Sequence, residues 1–262
     1  MSRAQQLLEK FRGPELAIGG HVFFTDPSIT EEMGAWGYDF IWIDAEHGPF
    51  DKERLLQHIV CANGSGAAAV VRVTNNDPNI IKPVLEMGPD GIIAPMVCTR
   101  DDAKRFVDAC LYPPVGKRGF GPRRANLYGA IPTEEYLAHA HEHFLRLAQI
   151  EHVDAVRNLE EIFTVEGIDA FIVGPNDLSA SIGHIGRTSH PESVALYDEI
   201  AAKCRAAGRL FGVSIGPNDR QYIRSWIDRG VDFISCGDDV TFISNGASDT
   251  IGFIRDYEQV RP

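Results

Sequence analysis

Short apolar runs alternate with helical patterns along the whole chain. The runs predict strands over Leu16–Val22, Phe40–Ile43, Ala68–Val73, Gly91–Pro95, Leu145–Ile150, Ala170–Val173, Leu210–Ile215 and Val231–Ser235. Several are nearly continuous in Val, Ile, Ala and Phe, as strands buried on both faces should be. Between them lie segments of helical period: Ile29–Ala35, Lys52–Ala62, Asn79–Met87, Arg100–Ala109, Val153–Val165, Glu192–Ala207, Asp219–Asp228 and Thr241–Tyr257. Met1 to Phe11 adds an amphipathic helix at the start. Gly88, Gly208 and Gly230 stand where helix C-terminal glycines are expected.

Eight strand–helix units is the count of a (β/α)8 TIM barrel, a single α/β domain spanning 1–262. A doubly wound open sheet usually has fewer strands and a glycine-rich first turn. No G-x-G-x-x-G follows a strand here. One connection, Tyr112–Leu127, is long and irregular, rich in Pro, Gly and Arg, and long loops in compact domains are often functional.

Composition narrows the function classes. The 262 residues are 44% hydrophobic and 24% charged, which is ordinary for a globular protein. The net charge of −12 argues against nucleic acid and anionic membrane as partners. Five cysteines without a C-x-x-C pair indicate neither a disulfide framework nor a zinc knuckle. With no signal-peptide core and no apolar run of membrane-spanning length, the expectation is a cytoplasmic protein.

In a barrel of this kind chemistry collects just past the strands. Glu151 follows the fifth strand and Asp177 the sixth, 26 positions apart (177 minus 151), about one strand-plus-helix unit. That spacing brings both carboxylates to one open end, where they suit a hard divalent cation such as Mg²⁺ and point to an enzyme. Gly174-Pro175-Asn176-Asp177 lets backbone approach a ligand, and free N–H groups near Asn176 and Asp177 would cradle an anion. For Asp177 alone, a helix cap is the plain alternative. The second strand runs into Asp44-Ala45-Glu46-His47, and His47 is the natural general base. A loop histidine held by Asp44 or Glu46 is the competing reading. Arg72 ends an apolar run, where a charge is costly unless it meets an anion. That anion is a substrate carboxylate, a developing oxyanion, or an internal ion-pair partner. None of the six lysines lies in a strand candidate, which argues against a Schiff base and leaves a metal plus Arg72 as the electrophiles. His139-Ala140-His141-Glu142-His143 looks like a metal cluster but precedes a strand, and on a helix only His139 and His143 would share a face.

These motifs resemble the HpcH/HpaI aldolase family of metal-dependent (class II) pyruvate aldolases. The resemblance rests on Ile43-Asp44-Ala45-Glu46-His47-Gly48-Pro49, Val71-Arg72-Val73 with Asn76-Asp77-Pro78, and Ala94-Pro95-Met96-Val97. It continues through Tyr112-Pro113-Pro114 with Gly116-Lys117-Arg118-Gly119, Gln149-Ile150-Glu151 and Val173 to Ser179. It implies a barrel of the phosphoenolpyruvate/pyruvate-binding type that cleaves 2-keto-4-hydroxy acids to pyruvate and an aldehyde. Glu151 and Asp177 would be the ligands of Mg²⁺, Mn²⁺ or Co²⁺. Arg72 would stabilise the enolate and His47 would handle protons. Gln149, Gly174, Pro175, Asn176 and Asp177 would line the pyruvate pocket. The family assembles as hexamers, with an acidic residue of a neighbouring subunit pairing with the histidine. The matching position here is Glu86, where aspartate is usual, and Ala45 replaces a common glycine. A decarboxylase, an acyl-CoA lyase and a non-catalytic small-carboxylate-binding barrel are the competing readings. The aldehyde half of the pocket is expected in loops, including Lys117–Arg124 and residues such as Ser214 and Asp238.

Overall fold

A computed structural model describes residues 1–216 and 219–261, so three positions of the expected 1–262 domain lie outside the description. The eight expected strands all form: β1 (Ala17–Val22), β2 (Phe40–Asp44), β3 (Ala68–Arg72), β4 (Gly91–Ala94), β5 (Leu145–Ile150), β6 (Ala170–Val173), β7 (Phe211–Ile215) and β8 (Phe233–Asp238). Each pairs in parallel with the next, and β8 pairs with β1 to close the barrel. The intervening helices are α2 (Pro27–Ala35), α3 (Lys52–Gly64), α4 (Pro78–Glu86), α5 (Arg100–Cys110), α7 (Val153–Arg157), α8 (Leu159–Phe163), α10 (Pro191–Ala206), α11 (Arg220–Asp228) and α12 (Asp239–Val260). Additional helices are α1 (Arg3–Arg12), α6 (Thr133–His139) and α9 (Pro175–Ser181).

Two departures from the sequence expectation have local causes. The helix expected over Val153–Val165 is two short helices, because Asn158 adopts φ −97°, ψ 8° between them. The last helix starts two residues earlier than expected, because Asp238 caps it by accepting from the Thr241 N–H. Gly88, Gly208 and Gly230 have φ of +66°, +61° and +74°, the left-handed helix ends anticipated for them.

The core divides by strand parity. Phe40, Trp42, Ala68, Val70, Leu145, Leu147, Ala170, Ile172 and Phe233 pack together inside the barrel. Their alternate neighbours Ile41, Ile43, Ala69, Val71, Ala148, Ile150, Phe171 and Val173 pack outward against the helices. Helix α1 plugs the N-terminal end: Phe11 stacks on Phe233 at 4.1 Å and meets Phe40 edge-on at 6.2 Å. Extending the inward series at period two places Asp44, Arg72, Gln149 and Gly174 on the barrel axis at the other end, with His21 and Ser214.

Candidate active site

The register of β2 and β3 sets one wall of the mouth. Asp44 lies opposite Arg72 in the ladder, and both side chains are buried. Arg72 donates through Nε to Asp44 Oδ1 at 3.1 Å and through Nη2 to Asp44 Oδ2, while Nη1 pairs with Glu46 Oε2 at 3.1 Å. Asp44 Oδ1 also accepts from the backbone N–H groups of Glu46 and His47, both at 3.1 Å, which folds the loop back over the strand end. The ion pair weighed as the alternative for Arg72 is therefore present. Three of its five N–H donors are engaged and two remain for a ligand. Glu46 is half-buried, and desolvation raises its carboxyl above the usual range although Arg72 opposes the shift. His47 is exposed, and its Nε2 lies 3.9 Å from Glu46 Oε2.

The opposite wall comes from β5 and β6. Gln149 Nε2 donates to Glu151 Oε2 at 2.6 Å, and Gln149 Oε1 is buried with no partner among the described residues. Glu151 Oε1 accepts from the Met96 N–H at 2.7 Å. Met96 holds φ +53°, a strained conformation for a side-chain-bearing residue, and this turn carries its N–H to Glu151. Glu151 is buried, and desolvation pushes its carboxyl up to about 7, against the Met96 N–H and Arg72, with Glu46 and Asp177 adding repulsion. Gly174 leaves the space these groups share. A Cβ there would lie 2.8 Å from both Gln149 Nε2 and Glu151 Oε2. Asp177 sits in the first turn of α9, whose N-cap is Gly174 without a side-chain cap bond. The helix-cap alternative for Asp177 thus fails: among the described residues its carboxylate makes no hydrogen bond or ion pair.

The structure gathers Arg72, Gln149, Glu151, Gly174 and Asp177 into one electrostatic neighbourhood, with Glu46 between the walls. It does not bring Glu86 to His47 within the chain. Glu86 ends α4 and pairs with Arg118 at 3.1 Å. The histidine run at 139–143 is no cluster either. Helix α6 ends at His139, and His139 and His141 each lie beside Glu142, at 3.4 and 3.6 Å. Among the described residues, the one group of three close enough to share an ion is His184, His190 and Glu192. Both nitrogens of His184 are already engaged there, at 2.8 Å from Glu192 and 3.1 Å from Arg187.

Sequence reasoning missed His21. It is buried beside Trp42, with ring centroids 5.0 Å apart. Its Nδ1 lies 3.3 Å from the Gly237 carbonyl and its Nε2 2.8 Å from Ser214 Oγ. A carbonyl only accepts, so Nδ1 carries the proton and Nε2 accepts from the Ser214 hydroxyl. Burial, with Arg72 adding, lowers its pKa to about 4 and keeps the ring neutral. The sequence signal was a histidine at an inward position of an apolar strand.

Residues 19–245 match the model of the HpcH/HpaI aldolase/citrate lyase family. The chain belongs to that family. It is 35% identical over 226 residues to the 5-keto-4-deoxy-D-glucarate aldolase of Citrobacter koseri, covering 86% of each chain. An HpcH/HpaI aldolase/citrate lyase family protein from Burkholderia cenocepacia superposes with a TM-score of 0.90 at 28% identity, covering 95% of this chain and 99% of that one. The HpcH/HpaI aldolase from Desulfitobacterium hafniense gives 0.88 at 25% identity, with 97% of each chain covered. This family member is an aldolase, a carbon–carbon lyase, built on a TIM barrel.

Proposed function

We propose that this aldolase reversibly cleaves 2-keto-4-hydroxy acids to pyruvate, or a close analogue, and an aldehyde, with a divalent cation held by Glu151 and Asp177. The observation that carries the reading is Glu151. Desolvation pushes this buried carboxyl up to about 7, more than the Met96 N–H and the Arg72 charge offset. Beside it stand Gln149 Oε1 and the Asp177 carboxylate, both without a partner among the described residues, and the space left by Gly174. That all-oxygen donor set fits Mg²⁺ or Mn²⁺, with Co²⁺ as a further candidate. When bound, the cation supplies Lewis-acid stabilisation of the negative charge that carbon–carbon cleavage leaves on the keto-acid half.

The chain's own residues do the rest. Arg72 directs its two uncommitted N–H groups at the 2-keto oxygen, where charge develops as the bond breaks. Asp44 and Glu46 hold the guanidinium plane in place for that task. His47, exposed at the mouth, takes the proton from the 4-hydroxyl. Pro175, Asn176 and the first N–H groups of α9 receive the substrate carboxylate.

We also assign a homohexamer and a cytoplasmic setting. Helix α12 is 22 residues long with only Asp239 buried, and Ile251, Phe253, Ile254 and Tyr257 on it are more than half exposed. An apolar stripe of that size supports burial against other copies. Such packing is the setting in which Glu86 of a neighbouring copy would meet His47. All five cysteines are free, which supports a reducing compartment, and no helix among the described residues is long and apolar enough to cross a membrane. Pyruvate release from a panel of 2-keto-4-hydroxy acids tests the reaction. It should vanish on exhaustive chelation and return with Mg²⁺ or Mn²⁺; release that survives chelation contradicts the reading.

A further inference from the structure

A third side of the mouth, where β1 leaves the barrel, is aromatic. Strand β1 keeps its register with β2 to the end, His21 opposite Trp42 and Val22 opposite Ile43. His21 points into the barrel, so Phe23, two positions on, continues the inward series past the strand end. The rings agree: Phe23 and His21 lie nearly parallel, 12° apart with centroids at 6.2 Å, as two side chains on one face can. His21 in turn tilts against Trp42 at 5.0 Å, and the Arg72 guanidinium lies over the Trp42 ring at 5.3 Å. A row of flat groups therefore runs from Arg72 to Phe23. His21 and Trp42 are buried within it, and Phe23 is partly exposed at its end.

The loop that carries Phe23 is held in place. Its N–H donates to both oxygens of Asp239, at 3.1 and 3.0 Å, and the Phe24 N–H donates to Asp239 Oδ2 at 2.8 Å. Asp239 is itself buried in the first turn of α12. The row offers a ligand little polarity. The Phe23 side chain has no donor or acceptor. Both His21 nitrogens are spent, on the Gly237 carbonyl and on Ser214. Trp42 Nε1 is buried out of reach. The carboxylates of Asp44 and Asp238 act on His21, and the cation that acts on it, Arg72, already pairs with Asp44 and Glu46. A hydroxyl laid on Phe23 exchanges water for ring carbon, and an anionic tail brings its charge toward those carboxylates. An apolar tail gains buried area there.

Resting on the function proposed above, we infer that Phe23 sets specificity for the aldehyde half and favours an apolar aldehyde over hydroxylated and anionic ones. The order of strands directs the substrate there. The proposed contacts put the keto-acid carboxylate at the end of β6, the 2-keto oxygen at Arg72 on β3 and the 4-hydroxyl at His47 after β2. The next strand around the closed barrel is β1, so the carbons beyond C4 extend toward Phe23.

The test is acceptor competition in the aldol direction, with Mn²⁺-loaded enzyme, pyruvate as donor, and pentanal, glyceraldehyde or succinic semialdehyde as acceptor. Pentanal should lead in kcat/KM by about tenfold or more over each of the others, the scale of one or two methylenes moved from water onto an apolar wall. In Phe23→Ser the pentanal-to-glyceraldehyde ratio should fall about tenfold, mainly through the pentanal KM. Phe23→Leu keeps an apolar side chain and should retain most of the ratio. Both aldehydes are measured on one preparation, so loss of folded enzyme cancels. Equal or better use of glyceraldehyde or succinic semialdehyde by the unmodified enzyme overturns the inference, as does an unchanged ratio in Phe23→Ser. Deuterium exchange at the pyruvate methyl by the unmodified enzyme, without any aldehyde, separates the two levels. If exchange occurs but the preference is absent, the Phe23 assignment alone fails. If exchange itself is absent, the underlying function fails.

Discussion

The two walls of the mouth are built to opposite rules. On the β2–β3 wall Asp44, Arg72 and Glu46 satisfy one another: two anions, one cation and a row of short contacts. On the β5–β6 wall the match is partial: Gln149 donates to Glu151, but the rest is left over. One carboxyl is pushed up to about 7, and among the described residues one amide oxygen and one carboxylate have no partner. Buried polar groups are normally partnered, so the buried Gln149 oxygen and the desolvated Glu151, with the exposed Asp177 carboxylate beside them, mark where an external partner belongs. The satisfied wall is the rigid tool that acts on whatever binds opposite.

The sharpest way to break this comparison is to remove the unsatisfied wall. Asp177→Ala and Glu151→Gln should each abolish measurable Mn²⁺ binding by calorimetry and lower kcat by about 10³-fold or more, as losing the main electrophile demands. Normal turnover in either variant places the cation elsewhere. Next comes the satisfied wall. Arg72→Ala should cost about 10²- to 10³-fold in kcat, the usual loss for a donor to a developing oxyanion, while Mn²⁺ still binds. Loss of Mn²⁺ binding in that variant would mean the walls are not separable. A smaller effect comes from the space between them. Gly174→Ala puts a methyl against Gln149 and Glu151 and should lower Mn²⁺ affinity about tenfold, at a level comparable to losing a supporting contact of a metal ligand.

The smallest effect is read in stability, far from saturating substrate. His21 is held neutral down to about pH 4 in the folded barrel, from an ordinary 6.5. As pH falls below 6.5 the unfolded chain takes up a proton that the folded chain refuses. The contribution of His21 to stability is therefore complete above pH 6.5 and declines by about 3 kcal/mol toward pH 4. Denaturant midpoints measured across that window should fall with pH, and a His21→Gln variant should show a shallower fall.

Much of the fold could be read from the chain because the barrel strands are buried on both faces and declare themselves as unbroken apolar runs. Glu151 and Asp177 were legible because one strand-plus-helix unit fixes their spacing. The lack of strand lysines held as well: Lys10, Lys52, Lys82, Lys104 and Lys203 all lie in helices, and Lys117 in the long connection. What stayed hidden depends on strands brought side by side. The pairing of Asp44 with Arg72 is a matter of register, and a sequence shows neither partner choice nor which donors are spent. His21 and Ser214 meet from β1 and β7, 193 positions apart, and neither position names the other as its partner. The loop histidines at 184 and 190 stack only because the chain turns between α9 and α10.

The central claim is that the unsatisfied wall holds a divalent cation that makes the keto-acid half acidic. Deuterium exchange at the methyl group of pyruvate, followed by NMR in the absence of any aldehyde, tests it most directly. The account predicts no exchange by exhaustively chelated protein, exchange on adding Mn²⁺, and none in Asp177→Ala with Mn²⁺ present. Exchange that persists after chelation, or in Asp177→Ala, would contradict it.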